Sequence, residues 1–404
     1  MAVQSQLPVV IAGAGPTGLM AALALAKQGV TVMVFETEPA LTHDLRAGSF
    51  HPPTQEMMAP YGITARMEAI GLKVSNWQIR QRRGDLVANF DLGLLSDITP
   101  YPHRLHLEQH RLTPIQFDLL KEQPTASVHF GHAVTGFEQR GDSVMVTVQS
   151  EGKSRVIEAA WLVAADGGKS VIRKQTGVNF EGFTWPEQFL VVSTEYDFGR
   201  HGFAMNAYIS DPVEWAAIFK VPDDGPPGLW RIAFPCDPEI ADEEHLKAPN
   251  VERRMQAFLE RDVPYEIRYK SIYRVHQRVA DNWRLGRVLL AGDAAHLNNP
   301  LGGFGLNSGI HDAVNLAEKL GRVMRGEADE ILMDLYVRQR RNATVEQVQA
   351  MSIRNKKLLE ERDPAVQRQR VAEMVEIAND PVRCLEHLLN TSMISGLRRS
   401  ALVQ

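Results

Sequence analysis

The sequence predicts an α/β fold, an α+β composite in which glycine-rich turns follow buried strands. Three stretches support this prediction: GAGPTGL at residues 13–19, ADGG at residues 165–168 and PLGGFGLN at residues 300–307. Each follows a short apolar run and precedes residues with the spacing of a helix. We therefore expect three strand, turn and helix units that face a common ligand.

The first unit opens with an apolar strand from Val9. Gly13 permits a tight turn, Gly15 lets the backbone approach a pyrophosphate, and Gly18 lets the following helix pack closely on the strand. These are the roles of the three glycines in a dinucleotide-binding βαβ unit. A glycine turn in an ordinary α/β crossover is the alternative, and the motif alone does not choose between NAD and FAD.

The helix of this unit is expected to begin near Thr17. Its first N–H groups and the positive end of its dipole would point at the phosphates. Glu36 follows the second strand, residues 30–35, and lies 23 residues after Gly13. A carboxylate at that strand tip can accept hydrogen bonds from ribose hydroxyls.

Composition restricts the class of protein. The 404 residues include 44% hydrophobic and 23% charged residues with a formal net charge of −5, as in an ordinary globular chain. Nucleic acid and membrane partners are not expected, because the charge offers them no attraction and no apolar run approaches the ~20 residues of a membrane span. The two cysteines, Cys236 and Cys384, form no CxxC pair and favour a reducing compartment, so we expect the cytoplasm. His106 and His110 lack a nearby acidic third ligand, and no metal site is expected.

Loops, helices and short strands are predicted between the first two units. A polar loop follows Glu36, and its Arg46 could contact a phosphate or a second nucleotide, or simply face solvent. The third of three alternating strands ends at Asp166, which suits a second approach to a dinucleotide. The predicted elements are a loop over 37–50, a helix over 54–70, short strands over 76–98, a helix over 106–120 that carries Gln109, and three strands from residue 127.

The amino-acid composition changes in the second half of the chain. Residues 181–270 are rich in aromatic side chains in alternating segments, as expected of a sheet that covers an apolar pocket, although any single aromatic residue is more often packing. The strand RVLLAG then ends at Asp293, and a glycine-dense loop leads into a helix from about Leu306. Beyond Gly326 the chain is helical and heavily charged, which is more often a solvated face than a dimer interface.

Together these stretches resemble the single-component aromatic hydroxylases, the flavoprotein monooxygenases of the p-hydroxybenzoate hydroxylase type. The resemblance is carried by GAGPTGL with Glu36, by ADGGKSVIRKQTG at residues 165–177 and by GDAAHLNNPLGGFGLNSGIHDAVNLAEKL at residues 292–320. It implies a Rossmann-like FAD-binding domain, a β-sheet substrate domain and a helical C-terminus.

The resemblance also implies a chemistry. NADH or NADPH would reduce FAD, O2 would add at flavin C4a, and the resulting hydroperoxide would hydroxylate a small aromatic substrate, either a phenol or an N-heteroaromatic compound. No nicotinamide-binding fold is visible, so NAD(P)H is expected to bind transiently with the help of Arg46. The protein would be a monomer or a homodimer.

The FAD contacts of the family carry over onto positions that match its motifs. Glu36 would bind the adenosine ribose and Asp293 the ribityl chain, while Leu306 and Asn307 would donate backbone N–H groups to the pyrimidine edge of the flavin. The implied cofactor residues are Gly13, Gly15, Pro16, Thr17, Gly18, Glu36, Arg46, Ala47, Gln109, Asp166, Asp293, Pro300, Gly305, Leu306 and Asn307.

The catalytic residues are not assigned by the resemblance. Pro300, His51 and Tyr208 are the candidates, and His201 is a further candidate for the base that deprotonates a phenol. The loop departs from the family at Asn299, where a second proline is common, and at Leu301, where a polar residue often faces the substrate. A more apolar floor under the substrate is expected.

Two alternatives and a domain division complete the expectations. A flavin-dependent halogenase would carry a Trp-x-Trp-x-Ile-Pro element, whereas GLWRI at residues 228–232 lacks the first tryptophan and the proline. A flavin-binding regulatory protein without turnover is the second alternative. The expected division is FAD binding over 1–72, 99–180 and 271–325, substrate-domain strands over 73–98, a substrate-binding β-sheet domain over 181–270 and C-terminal helices over 326–404.

Overall fold

The computed structural model describes residues 7–43, 48–82, 85–211 and 214–404. Its first layer is a six-stranded, mostly parallel sheet. Ala12 pairs with Phe35 on one side and with Ala164 on the other, and Ala164 pairs with Leu290. The carboxyl ends of these four strands therefore meet at one edge, where ligands bind in open α/β sheets. In sheet order the strands are Arg284–Leu285, Val288–Leu290, Trp161–Ala164, Val9–Ala12, Val32–Phe35 and Ala126–His129.

The second layer is an eight-stranded, mostly antiparallel sheet whose strands come from three separate parts of the chain. In sheet order they are His296–Leu297, Ile267–Ala280, Phe180–Thr194, Leu229–Cys236, Ala216–Val221, Asn206–Ser210, Asn76–Gln81 and Leu86–Asp91. The remaining strands form two three-stranded sheets. One sheet contains, in order, Lys153–Ala159, Ser143–Ser150 and Ala133–Arg140. The other contains, in order, Ser49–Phe50, Arg104–His106 and Leu72–Val74.

The helices pack on both sheets. The α-helices are Pro16–Ala26, Pro52–Met58, Ile63–Glu68, Gln109–Lys121, Val171–Thr176, Asp242–His245, Ala248–Phe258, Phe304–Met324, Leu332–Ala343, Ala350–Leu359, Pro364–Asn379, Pro381–Thr391 and Ile394–Ala401. Short 3₁₀ turns lie at Ala59–Tyr61, Leu92–Leu95, Phe198–His201 and Gly292–Ala294, and Thr344–Gln349 is a π-helix. No helix of the described ranges has both the length and the apolar character needed to cross a bilayer.

The predicted α/β fold is confirmed, with corrections at element boundaries. The helix expected over 54–70 is broken, because Gly62 adopts a left-handed conformation with φ of 78°. The helix expected from His106 begins at Gln109, since Glu108 is extended and His106 belongs to a strand. The three strands expected from residue 127 are five, because turns interrupt the first and the third. The division of the chain into domains stays a prediction.

The C-terminal helices are not simply a solvated face. Leu359, Ile377 and Leu388 are buried in one apolar cluster with Phe189 of the eight-stranded sheet. The charged residues of these helices are therefore only one side of amphipathic elements. Their other side packs on the face of the eight-stranded sheet that carries Phe189.

Candidate active site

A cavity of about 730 Å³ lies between the carboxyl edge of the parallel sheet and one face of the eight-stranded sheet. Residues from all three predicted units line it, including Gly15, Asp166 and Leu306. The parallel register brings these segments together although they are far apart in sequence.

The first glycine turn is shaped by two close backbone approaches. Gly13 has φ of +101°, and a Cβ on it would lie 2.5 Å from the Ala165 carbonyl oxygen. A Cβ on Gly18 would lie 2.0 Å from the Gly13 carbonyl oxygen, so Gly18 packs the helix and does not line the cavity. At Gly15 a Cβ would meet no atom within 4 Å, and this open position faces the cavity.

The helix Pro16–Ala26 presents its N-terminus to the cavity. Pro16 occupies its first turn, and Pro16 and Thr17 both line the cavity. Among the described residues no side chain caps this end, and its first turn carries no acidic residue. The free N–H groups are thus available to an anion such as a phosphate.

Glu36 is held with its carboxylate toward the cavity. Its Oε2 accepts a hydrogen bond from the Ala14 N–H at 2.7 Å, and its Oε1 accepts one from the Glu38 N–H at 3.0 Å. Each oxygen retains a lone pair for a further donor. This position at the strand tip suits a ribose.

Two aspartates and a glutamine line the same cavity. Asp166 Oδ2 accepts hydrogen bonds from Val171 N at 2.8 Å and Ile172 N at 3.3 Å, which fixes the start of the helix Val171–Thr176. Its buried Oδ1 has no partner within the described ranges. Asp293 and Gln109 also line the cavity.

The loop that contains Pro300 leads into the second helix whose N-terminus faces the cavity. Pro300, Gly305 and Leu306 line the cavity, and Gly303 precedes the helix Phe304–Met324 in a left-handed conformation with φ of 69°. No described side chain caps this helix, and its first turn carries no acid. Its dipole can therefore stabilise negative charge in the cavity.

The side chain of Asn307 is bonded to protein groups and is not part of the cavity wall, while the predicted contact of its backbone N–H with the cofactor stays a prediction. Its Oδ1 accepts hydrogen bonds from His51 N at 2.9 Å and Thr54 Oγ1 at 2.6 Å. Its Nδ2 donates to the carbonyl oxygens of Ser49 at 2.8 Å and Gly303 at 2.6 Å. Asn307 thus ties the first turn of the helix to the segment that carries Ser49 and His51.

Two of the candidate bases are also outside the cavity wall. His51 is fully buried, its Nε2 contacts the Gly302 carbonyl oxygen at 2.8 Å, and its ring stacks on Phe304. Burial, with the charge of Arg104 second, lowers the pKa of His51 well below its usual value, so it is a neutral support for the loop. His201 is exposed and bonded to the Tyr196 hydroxyl, away from the cavity.

Tyr208 and Pro300 are the candidates that line the cavity. Burial raises the pKa of Tyr208, while Arg104 and the backbone of Gly302 lower it by less. The Tyr208 hydroxyl therefore keeps its proton at neutral pH and can donate a hydrogen bond. Arg46 and Ala47 lie outside the described residues.

The part of the cavity against the eight-stranded sheet combines an apolar surface with a few polar groups, as small-molecule sites usually do. Its apolar side chains are Phe189, Val191, Ala217, Ala233, Val275 and Leu301, and its polar ones include Arg104, Asn206, Tyr208, Arg231 and Tyr273. The sequence patterns did not single out Arg104, Asn206, Arg231 or Tyr273. An arginine within the runs HRLHL and LWRIAF is the available indication, because a charged residue seldom occupies a buried strand.

The residues present fit FAD. Two uncapped helix N-termini, an open glycine position at Gly15 and the carboxylate of Glu36 match a pyrophosphate and a ribose. Asp166 has an unpartnered buried oxygen at the same cavity. The role of each residue toward the cofactor stays a prediction.

Comparison with known proteins gives a consistent result. The model of a family described as "FAD binding domain" matches residues 6–351. A para-nitrophenol 4-monooxygenase of Pseudomonas sp. (strain WBC-3) is 34% identical over 397 residues, 96% of each chain. A 6-hydroxy-3-succinoylpyridine 3-monooxygenase of Pseudomonas putida (strain DSM 28022 / S16) is 34% identical over 84% of this chain and 86% of its own. The crystal structure of p-nitrophenol 4-monooxygenase from Pseudomonas putida DLL-E4 superposes with a TM-score of 0.91 at 32% identity, covering 97% of this chain and 98% of that one.

Proposed function

Because this chain belongs to the FAD-binding-domain family and is an FAD-dependent aromatic monooxygenase, we propose that it hydroxylates a small single-ring phenol with NADH or NADPH as reductant. The similarity over nearly the whole chain to a para-nitrophenol 4-monooxygenase carries this proposal. The relatives are monooxygenases and do not favour the halogenase alternative. A hydroxypyridine is the second candidate substrate, supported by the similarity to a 6-hydroxy-3-succinoylpyridine 3-monooxygenase.

Different residues of the cavity would bind different parts of FAD. Glu36 would hold the ribose, the N–H groups after Gly15 the pyrophosphate, and Asp293 the ribityl chain. The first turn of Phe304–Met324 would offset negative charge on the flavin ring. When bound, FAD supplies oxygen activation and accepts the reducing equivalents of NAD(P)H.

The substrate-facing residues would bind and orient the aromatic ring of the substrate and exclude water from it. Phe189, Val191 and Leu301 provide an apolar surface that excludes water from the reacting centre. Tyr208, protonated at neutral pH, would donate a hydrogen bond to an oxygen of the substrate. Leu301 would make the floor under the substrate apolar.

The two cysteines bear on the cellular compartment of the protein. Cys236 and Cys384 are both buried and free. We propose the cytoplasm on this basis, since secreted proteins of this kind would tend to use disulfides.

The test is product formation by the FAD-loaded protein. NADH and NADPH oxidation would be followed with single-ring phenols, hydroxypyridines and larger polycyclic phenols, and products would be identified by mass spectrometry. Nitrite would be assayed as well, because oxygenation at a nitro-bearing carbon expels it. One phenol that accelerates oxidation and yields a product with one added ring oxygen, either as substrate plus one oxygen atom or with release of nitrite, supports the proposal. Oxidation that no compound accelerates, or a turnover confined to polycyclic substrates, would contradict it.

A further inference from the structure

Arg104 is a buried cation in the part of the cavity wall that lies against the eight-stranded sheet. It lies in the central strand Arg104–His106 of a three-stranded sheet, is only 4% exposed, and lines the cavity. Its Nη1 donates one hydrogen bond to Asn206 Oδ1 at 3.2 Å, and its guanidinium lies 5.6 Å from the centre of the Trp77 ring.

The charge of Arg104 has no counter-ion in the part of the chain that the structure describes. None of the described carboxylates lies within ion-pair distance of its guanidinium, and its buried Nε has no hydrogen-bond partner there. Other buried arginines differ: Arg340 pairs with Asp312 at 2.7 Å, and Arg80 donates to the Gly202 carbonyl oxygen at 2.7 Å.

The titratable groups that sense Arg104 do not neutralise it. Burial raises the pKa of Tyr208, so this phenol stays protonated. Burial lowers the pKa of His51 well below its usual value and the pKa of His106 and His387 to about 4, so these imidazoles stay neutral. Arginine itself stays protonated in proteins.

A lone buried cation is costly unless an anion or strong acceptors satisfy it. The open side of Arg104 is the cavity, where Arg231 adds a second positive charge to the wall. An anionic ligand atom beside Arg104 would regain the desolvation cost through charge-assisted hydrogen bonds.

We propose that Arg104 is a specificity-determining residue that holds an anionic oxygen of the substrate, so that the enzyme binds its phenol as the phenolate. This inference rests on the proposed function, because it deepens the substrate class. Asn206 positions the guanidinium, and the neutral Tyr208 is placed to donate to the same oxygen. A ring of the same shape without an ionisable hydroxyl is then a weak ligand.

The test compares 4-nitrophenol with 4-nitroaniline, a neutral ring of nearly the same size. Dissociation constants would be measured from the change in flavin absorbance of the FAD-loaded protein, for the wild type, Arg104→Met and Arg104→Lys. We expect Arg104→Met to weaken 4-nitrophenol binding by about 10- to 100-fold and 4-nitroaniline binding by less than about 3-fold. Arg104→Lys keeps the charge and should retain the preference for the phenolate.

Arg80→Met is the matched control, since Arg80 is similarly buried, does not line the cavity and donates from its Nη1 to both Gln78 Oε1 and the Gly202 carbonyl oxygen. It should leave the ratio of the two dissociation constants unchanged. The wild type alone gives a second readout: 4-nitrophenol bound at a pH below its solution pKa should show the phenolate absorption band.

Equal weakening of both ligands by Arg104→Met, or a bound 4-nitrophenol with the spectrum of the neutral phenol, would overturn the proposal. Product formation separates the two claims. If no phenol is oxygenated, the proposed function is wrong. If Arg104→Met weakens the binding of both ligands equally, the proposed role of Arg104 is wrong.

Discussion

Asp312→Asn should destabilise the protein severely, because Asp312 is the centre of a buried charge cluster behind the cofactor site. Its Oδ1 accepts a hydrogen bond from Arg340 Nε at 2.7 Å, and its Oδ2 accepts from His296 Nε2 at 2.8 Å and from Gly292 N at 3.0 Å. The carboxylate is fully buried and Arg340 is 1% exposed. Gly292 precedes Asp293 in the cavity wall, so the cluster also fixes the predicted ribityl contact.

The magnitude follows from the charge that the substitution leaves behind. Asparagine removes the counter-ion of a buried guanidinium, which costs about 3–5 kcal/mol of unfolding free energy. The control is Asp334→Asn, since Asp334 pairs with Arg284 at 2.9 Å but its side chain is 49% exposed. An exposed pair contributes about 0–1 kcal/mol.

The assay is urea unfolding at pH 7, followed by circular dichroism on both variants with FAD bound. A difference of less than about 1 kcal/mol between Asp312→Asn and Asp334→Asn would refute the reasoning, because buried and exposed pairs would then be equivalent. The wild type offers a second check through pH. Burial opposes the ionised form of Asp312, but Arg340 and His296 lower its pKa from 3.8 to about 2. The folded pKa is depressed, so its contribution of about 2 kcal/mol is present above pH 4 and is lost as the pH falls toward 2.

Three further predictions concern the cofactor site and the C-terminal helices. Gly15→Ala should leave the melting temperature of the FAD-free protein unchanged, since its Cβ meets no atom within 4 Å, yet weaken FAD binding measured by flavin fluorescence; equal FAD affinity would refute the assigned phosphate position. Glu36→Gln should weaken FAD binding by about 10-fold through loss of a charge-assisted acceptor, while unchanged affinity would exclude a ribose contact. Lys356→Met should lower the unfolding free energy by about 1–3 kcal/mol, because Lys356 is 1% exposed and bonded to Glu187 at 3.2 Å; a change within 0.5 kcal/mol, the range of ordinary surface substitutions, would show that the contact is dispensable.

Four of the predicted cofactor residues converge on one cavity for a geometric reason. Gly13, Glu36, Asp166 and Asp293 each follow a strand of the parallel sheet. Parallel strands end at one edge, so residues that follow them converge without any knowledge of long-range contacts. All four line the cavity.

The substrate side could not be predicted in this way. Arg104 and Asn206 are 102 residues apart and meet only because their strands lie against the same cavity. Whether a buried arginine is paired depends on every element around it, which no local pattern reports. His51 has the residue type of a base, but it is fully buried and contacts the carbonyl oxygen of Gly302, 251 residues away, which no local pattern reports.

The loop before Pro300 shows how the C-terminal region takes part in shaping the site. Asn299, found where a second proline is common in the family, donates from its backbone N–H and its Nδ2 to Gln277 Oε1, both at 3.2 Å. A proline there would have no N–H to donate. Gln349, in the π-helix Thr344–Gln349, contacts Gln277 and donates to the Leu297 carbonyl oxygen at 2.9 Å. A second proline would stiffen the loop locally. In this chain, hydrogen bonds to distant elements position the loop instead. A helical segment that carries no recognisable motif thus helps to position the loop that lines the cavity.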